Sequence, residues 1–285
     1  MKKILYTIAL ILGLQVSLTA QENEKVAIRV PNFARPLVEK WVAEYQKANS
    51  GVEFQFVTAK SQDTDNTIQF TTDGGAVYIA RYAVLPITAS ESQAQQLIGT
   101  HKLNAKRLKT LFFVDEDLDD DEADTKEVLH VYTGNGQQSV SRVYASHFKQ
   151  TANDYKGKKI AGDDSFLNTA VSRDPLGVTV NTLSNIADLN SRQLKPELAL
   201  LPLDVDKESR QILSEGQLDA IINLLEQRSF DEIPIGKVGL TFNRNNARVN
   251  DFVQWIMAYG IQYVHEYGLL ELPKKELTAQ LHKAE

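Results

Sequence analysis

Hydrophobic and polar positions change period twice within the first third of the chain. A short apolar run at residues 26–30 predicts a buried strand. Four large side chains then recur at the spacing of one helix face: Leu37, Trp41, Val42 and Tyr45. They predict a helix over residues 36–48. Residues 51–58 alternate apolar and polar side chains and predict a half-buried strand. A helix that links two strands is typical of a βαβ unit with parallel strands.

Strands and helices continue to alternate along the rest of the chain. Residues 59–72 are polar with little helical signal. Apolar, β-rich runs predict further strands at residues 76–87, 127–132, 177–180, 198–204 and 233–242. Helical spacing predicts helices at residues 92–98, 103–113, 139–150, 165–172, 209–230 (two, separated near Gly216) and 249–267. The last helix has one face that we expect in the core: Phe252, Trp255, Ile256, Tyr259, Tyr263 and Val264.

Two strand–helix junctions stand out in this α/β pattern. At the first, Asn32 is a good N-cap residue and Pro36 suits the first helical turn. At the second, Gly134 and Gly136 follow a predicted strand, and Ser139 begins a predicted helix. Such junctions leave backbone N–H groups free at the start of a helix, and these groups suit a small anion. An ordinary turn of an α/β domain is the alternative interpretation of each.

The residues of the first junction resemble the opening motif of the phosphate-binding, PstS-like periplasmic proteins. The matching residues are Phe33, Ala34, Pro36, Leu37, Lys40, Trp41 and Tyr45. The resemblance implies an α/β fold of the two-lobed type II periplasmic binding protein class, in which each lobe is a central sheet flanked by helices. It implies that residues 21–88 and 205–285 form lobe 1, that residues 89–204 form lobe 2, and that the hinge lies near residues 85–90.

The second junction resembles the family's anion-gripping loop, R-x-D-G-S-G-T, in its two glycines. Four positions depart from the loop: Val131 replaces the arginine, Thr133 the aspartate, Asn135 the serine and Gln137 the threonine. Valine cannot supply the bidentate charged donor that arginine gives to an oxyanion. Three arginines are candidates for a replacement cation: Arg35, Arg81 and Arg173.

The resemblance implies a ligand site shared by both junctions and by the turn before the strand at residues 76–87. Its residues are Asn32, Phe33, Ala34, Asp73, Gly134, Asn135, Gly136, Gln137 and Ser139. Asp73 stands for the family's ligand-contacting aspartate, and a simple turn residue is its alternative interpretation. The implied ligand is phosphate, a related small oxyanion, or a polar solute accommodated by amides.

The N-terminus has the pattern of a secretory signal peptide. Lys2 and Lys3 precede an apolar run at residues 4–14, and small residues predict cleavage after Ala20. The apolar run is shorter than the ~20 residues of a spanning helix. Cleavage would leave 29 basic and 37 acidic residues, so the formal net charge of −6 becomes −8, which argues against a nucleic-acid partner. The chain contains no cysteine, which excludes disulfides and a lipid-anchored N-terminus. We therefore expect a soluble periplasmic protein.

Metal binding and catalysis have little support in the sequence. Eight of the ten residues at 115–124 are acidic. A calcium loop fails there because Asp120 and Lys126 occupy the positions that need glycine and glutamate, so we expect a solvated acidic loop. The catalytic motifs G-x-S-x-G and H-E-x-x-H are absent. We expect no cofactor, no metal and no enzymatic activity.

These observations predict a non-catalytic, exported solute-binding protein that works with an envelope transport system, such as an ABC transporter. One alternative is a degenerate homologue that serves as a protein-interaction component of a cell-envelope complex. The lost arginine and the shortened first lobe favour that alternative. A hydrolase is a third and weaker alternative.

Overall fold

The computed structural model describes residues 25–58, 61–72, 74–75, 77–99, 101–114 and 129–284. The predicted signal peptide (residues 1–20), Asp73 and the acidic run at residues 115–124 lie outside this set. In the part of the chain that is described, no helix is both long enough and apolar enough to cross a membrane.

The first half of the central sheet contains the predicted βαβ unit. Strand β1 (Val26–Arg29) leads through a 3₁₀ turn (Asn32–Ala34) into helix α1 (Arg35–Ala48), which returns to strand β2 (Phe54–Phe56). The two strands are parallel, as predicted, with Ala27 opposite Gln55. Strand β3 (Thr67–Thr71), which the polar sequence did not predict, lies parallel on the other side of β1.

One long strand joins the two halves of the sheet. Strand β4 (Val77–Ala89) has 13 residues and lies in the region predicted as apolar and β-rich. Its first part, as far as Ala83, pairs with strand β11 (Ile235–Phe242). From Val84 onward it pairs with strand β7 (Gly177–Thr182). The chain therefore changes sheet partners within β4, and the lobe boundaries given above remain a prediction.

The second half of the sheet is built on β7. Parallel to it lies strand β5 (His130–Gly134), which pairs in turn with strand β6 (Lys158–Ile160). Strand β10 (Leu198–Leu200) pairs with the end of β4. Together the strands form one nine-stranded sheet in the order β2-β1-β3-β11-β4-β7-β5-β6, with β10 beside β4. This mixed α/β architecture confirms the predicted fold class.

Helices flank both halves of the sheet. The remaining helices are α2 (Gln93–Ile98), α3 (Ala105–Phe112), α4 (Val140–His147), α5 (Ser165–Arg173), α6 (Leu183–Ile186), α7 (Lys207–Glu215), α8 (Leu218–Gln227), α9 (Ala247–Ala258) and α10 (Lys274–Ala284). A small hairpin of β8 (Ala187–Asp188) and β9 (Gln193–Leu194) follows α6. The break between α7 and α8 falls at Gly216, as predicted, and this glycine has φ +69°.

The C-terminal helix predicted for residues 249–267 is wrong in its length. Helix α9 ends at Ala258, and two 3₁₀ turns follow it (Gly260–Tyr263 and His265–Tyr267). Tyr259, which we expected in the core, is 61% exposed. The helix ends where Tyr259 leaves helical geometry (φ −131°, ψ −29°), and directly beyond it the Trp41 indole N–H donates to the Gly260 carbonyl at 2.7 Å.

Candidate functional site

The first predicted junction, the α1 corner (residues 31–34), is held by backbone and by buried side chains. Phe33 and Ala34 are buried, and the Phe33 ring centroid lies 4.8 Å from that of Tyr82. The predicted N-cap role of Asn32 is wrong, because Ala34 stands at the start of α1 without a side-chain cap hydrogen bond. The Asn32 amide donates instead to the carboxylate of Asp163.

The second predicted junction, the α4 corner (residues 134–140), begins where β5 ends. The Gly134 N–H donates to the Ser141 hydroxyl at 3.0 Å. Ser139 is the N-cap of α4, and its hydroxyl accepts from the Ser141 N–H at 3.3 Å. Gly136 is half-buried, and the side chains of Asn135 and Gln137 are exposed. The corner has the geometry of an anion site, because it combines a helix N-terminus with a serine hydroxyl.

A carboxylate of the chain itself occupies the α4 corner. Asp164 accepts from the Ser139 hydroxyl at 2.7 Å with one oxygen and from the Val140 N–H at 2.8 Å with the other. Asp164 is only 9% exposed. Burial raises the pKa of Asp164, while these two hydrogen bonds act in the opposite direction. A Cβ at Gly134 would overlap both the Ser139 hydroxyl and this carboxylate, so the close approach requires glycine.

The neighbouring carboxylate reaches the other corner. One oxygen of Asp163 accepts from the Asn32 amide, and the other accepts from the Ser165 N–H at 2.7 Å. Asp163 and Asp164 lie in the loop between β6 and α5, which belongs to the second half of the sheet. The Asn32–Asp163 hydrogen bond therefore links the two halves. In the sequence the two aspartates are visible only as an adjacent pair, which is typical of a turn or a solvated face and gives no sign of these partners.

The candidate replacement cations are engaged elsewhere or lie on the surface. The Arg35 guanidinium pairs with Glu39 at 2.8 Å. The Arg81 guanidinium donates to the Glu271 carbonyl at 2.7 Å, and Arg173 is exposed at the end of α5. A further arginine, Arg29, is buried in β1 and pairs with Asp63 at 2.8 Å. These contacts direct the guanidinium groups of Arg29, Arg35 and Arg81 to partners outside the two corners.

A groove of ≈ 540 Å³ lies between helix α4 and the first half of the sheet. It is lined by Thr72, Arg142, Val143, Ser146, His147, Gln150, Thr151, Ala152, Pro234 and Ile235. Arg142 is exposed, and its guanidinium has no hydrogen bond or ion pair with any residue that the structure describes. The His147 ring bonds the Asp231 carbonyl at 2.8 Å through Nε2, which must carry the proton. The groove thus presents donors and a cation.

The described residues contain no group of three or more histidine, cysteine, aspartate or glutamate side chains that could hold a metal ion. His130 lies on β5 but at the end away from Gly134, where its ring bonds the Asp174 carboxylate at 2.7 Å.

Solved structures resemble this fold along most of its length. An ABC-type phosphate transport receptor from Vibrio cholerae is 10% identical, with 87% of this chain and 100% of the receptor covered at a TM-score of 0.57. A substrate-binding protein from Clostridium perfringens, solved with bound phosphate, is 13% identical, with 87% and 100% covered at a TM-score of 0.56. A possible phosphate binding protein from Planctomyces limnophilus is 10% identical, with 91% and 97% covered at a TM-score of 0.51.

Comparison of the amino-acid sequence with known proteins identifies no family for this chain. No protein-family model matches the chain, and no curated protein sequence matches it. The structural likeness establishes a periplasmic binding protein-like fold, because similarity at this level of identity carries the architecture and leaves the function to the site itself.

Proposed function

We propose that this protein is an exported, non-catalytic solute-binding protein whose ligand is an organic anion bound in the groove beside α4. The observation that carries the proposal is the groove of ≈ 540 Å³ with the exposed Arg142 on its wall, whose guanidinium bonds none of the described residues. Pockets for small organic molecules have volumes of roughly 300–1,000 Å³. A groove of this size has room for more than one inorganic phosphate ion.

Arg142 gives the proposal its chemistry. The family's loop arginine is replaced by Val131, which is buried in β5. Arg142 lies on α4, eleven positions further along the chain, and carries the same planar fork of donors. Such a fork binds a carboxylate or a phosphate group through two parallel hydrogen bonds. Ser146, one helical turn beyond Arg142, also lines the groove and offers a hydroxyl.

The wider role follows from the fold and from the N-terminal segment. The likeness to solved phosphate-binding proteins supports the proposal that this chain belongs to the PstS-like lineage and acts with an ABC transporter. The charged start and apolar run of residues 1–20 support export to the periplasm. Asn135 and Gln137, whose exposed amides lie at the α4 corner and not on the wall of the groove, are a separate candidate contact that the variants below test.

The test is a thermal-shift screen of the chain from Gln21 onward against inorganic phosphate, sulfate, sugar phosphates and dicarboxylates. A ligand at 100 times its Kd stabilises a protein by about 2.7 kcal/mol, which corresponds to a rise in Tm of about 5–10 °C for a chain of this size. We expect such a rise with an organic anion. The substitution Arg142→Gln should abolish this rise, because glutamine keeps a polar side chain but loses the charged fork.

Two further variants locate the site. Arg173→Gln is the matched control, because Arg173 is also exposed but lies on α5 away from the groove. It should leave the Tm shift intact. The double substitution Asn135→Ala and Gln137→Ala tests the α4 corner. A shift that survives Arg142→Gln and disappears in the double variant would place the ligand at the corner and contradict the groove.

A second candidate function is that of a protein-interaction component in the cell envelope. The hydrogen bonds of Asp163 and Asp164 favour this function, because they engage Asn32 at one corner and Ser139 and Val140 at the other without a solute. Absence of any Tm shift across the screen, in a protein that unfolds cooperatively, would support this second candidate over solute binding.

A further inference from the structure

The loop between β6 and α5 brings two adjacent carboxylates to the two corners. Asp163 accepts a hydrogen bond from the Asn32 amide of the α1 corner. Asp164 accepts hydrogen bonds from the Ser139 hydroxyl and the Val140 N–H of the α4 corner. One corner belongs to each half of the sheet. The two aspartates therefore bridge the halves at the place where an external anion would meet both.

We propose that Asp163 and Asp164 act together as an internal ligand, which holds the two corners and excludes free inorganic oxyanions from them. Each carboxylate oxygen of Asp164 uses one donor that a phosphate oxygen would need. An incoming oxyanion would also lie beside two carboxylates in a partly buried place, where like charges repel strongly. This inference goes beyond the proposed function and does not depend on whether the groove binds a solute.

The position of Asp164 is fixed through its backbone as well as through its carboxylate. Its backbone carbonyl accepts from the Asn181 amide at 2.7 Å, and the same amide donates to Asn168 at 2.9 Å. Asn181 lies on β7 and Asn168 on α5, so the sheet and the next helix both support the loop. The missing side chain at Gly134 leaves the space that the carboxylate fills. The chain thus builds a receptor for a carboxylate and supplies that carboxylate itself.

An ordinary helix cap differs from this arrangement. Asp206 caps α7 from the position directly before the helix, and its side chain is 50% exposed. Asp164 reaches Val140 across 24 positions of the chain and is buried. An internal ligand and a cap predict different responses to a free carboxylate, and this difference can be measured.

The experiment is chemical rescue of Asp164→Gly. We expect this variant to have a lower Tm than the wild-type protein, and we expect formate to raise its Tm by several degrees, because formate supplies the two missing oxygens. Chloride at equal ionic strength should not do so. Formate should leave the wild-type protein unchanged. The matched control is Asp206→Gly, in which an exposed cap is lost and formate should give no specific gain.

The rescue experiment has clear opposing outcomes. A folded Asp164→Gly protein that formate does not stabilise, or that formate stabilises no more than Asp206→Gly, would overturn the internal-ligand proposal. Loss of the groove ligand in Arg142→Gln would leave this result unaffected, so failure of the proposed function can be told apart from failure of this inference.

A second measurement uses the wild-type corners and needs no folded Asp164 variant. The chain has no cysteine, so spin labels can be placed at Lys47→Cys on α1 and Thr169→Cys on α5, both exposed positions. We expect one narrow distance distribution without ligand, unchanged by millimolar phosphate. Asp163→Ala should broaden it, because the Asn32 link is lost. A distribution that is already broad in the wild-type background, or that narrows when phosphate is added, would refute the proposal.

Discussion

At the scale of single residues, the carboxylate of Asp174 shows how hydrogen bonds can overcome burial. Burial opposes its ionisation, but the Tyr132 hydroxyl, the His130 ring and the Leu176 N–H together outweigh burial and lower the pKa of Asp174 below the usual 3.8. A carboxylate with a lowered pKa in the folded state stabilises the protein above its unfolded-state pKa. This contribution is lost as the pH falls through the folded-state value.

We therefore expect the substitution Tyr132→Phe to be pH-dependent in its effect. It removes a donor at 2.7 Å from the ionised carboxylate, which should lower the free energy of unfolding by about 1 kcal/mol at pH 7. The loss should shrink as the pH falls below about 3.8, because the protonated group accepts a weaker hydrogen bond. Urea denaturation of the wild-type protein and of Tyr132→Phe at a series of pH values measures this difference in the free energy of unfolding.

Tyr155→Phe is the control for that experiment. The Tyr155 hydroxyl donates at 2.7 Å to the Ser141 carbonyl, which does not titrate, so the stability lost in Tyr155→Phe should be the same at pH 7 and at the lowest pH at which the protein stays folded. Equal pH profiles for the two variants would show that ionisation of Asp174 is not the cause.

The candidate site was predictable at this scale only in part. Gly134 and Ser139 were identified as parts of an anion-binding corner, and the structure places an anion there. The anion is Asp164, which bonds Ser139 across 25 positions of the chain. No local spacing connects residues so far apart, and two adjacent aspartates look like a turn. Arg142 was missed for a similar reason, because a groove is formed by elements that are distant in sequence.

At the scale of elements, local periodicity predicted the helices that have one apolar face and the strands that are formed by one apolar run. Helix α1 has its four predicted apolar side chains in the core, and β4 is formed by the apolar run that predicted it. Strand β3 was missed because TIQFT was taken together with the polar residues before it, although its own side chains alternate polar and apolar and Ile68 and Phe70 are buried. Pairing with β1 and β11 places it inside the sheet.

The end of α9 leads to a prediction about Gly260. A Cβ at this position would lie 2.9 Å from the Trp41 indole nitrogen and would disturb its hydrogen bond to the Gly260 carbonyl. Overpacking of this kind costs about 1–3 kcal/mol. We expect Gly260→Ala to lower the free energy of unfolding by that amount in chemical denaturation.

Gly51→Ala is the comparison for Gly260→Ala. A Cβ at Gly51 meets nothing within 4 Å, so the change should stay within about 0.5 kcal/mol. If the two variants proved equally stable, the space between Gly260 and the Trp41 indole would not be as tight as the 2.9 Å approach implies.

At the scale of the whole molecule, the two halves share one strand. The 13 residues of β4 are central to both halves, and β11 and β7 pair with consecutive parts of it. Two further contacts cross between the halves. Asn32 bonds Asp163, and Gly268 packs so closely against Ser184 that a Cβ at Gly268 would lie 3.0 Å from the Ser184 backbone. Unfolding one half would therefore leave its part of β4 without a sheet partner while the rest of the same strand stays held in the other half.

We expect the halves to unfold as one cooperative unit, and the chain contains a natural probe for this. Both of its tryptophans, Trp41 on α1 and Trp255 on α9, report on the first half, while far-UV circular dichroism reports on helices of both halves. The fluorescence and dichroism curves in urea should coincide. Asp163→Ala should lower the midpoint of both curves together, since it removes a link but leaves β4 intact. Separate midpoints in the wild-type protein would mean that neither β4 nor the hydrogen bond between Asn32 and Asp163 couples the halves, and that each half unfolds as an independent domain.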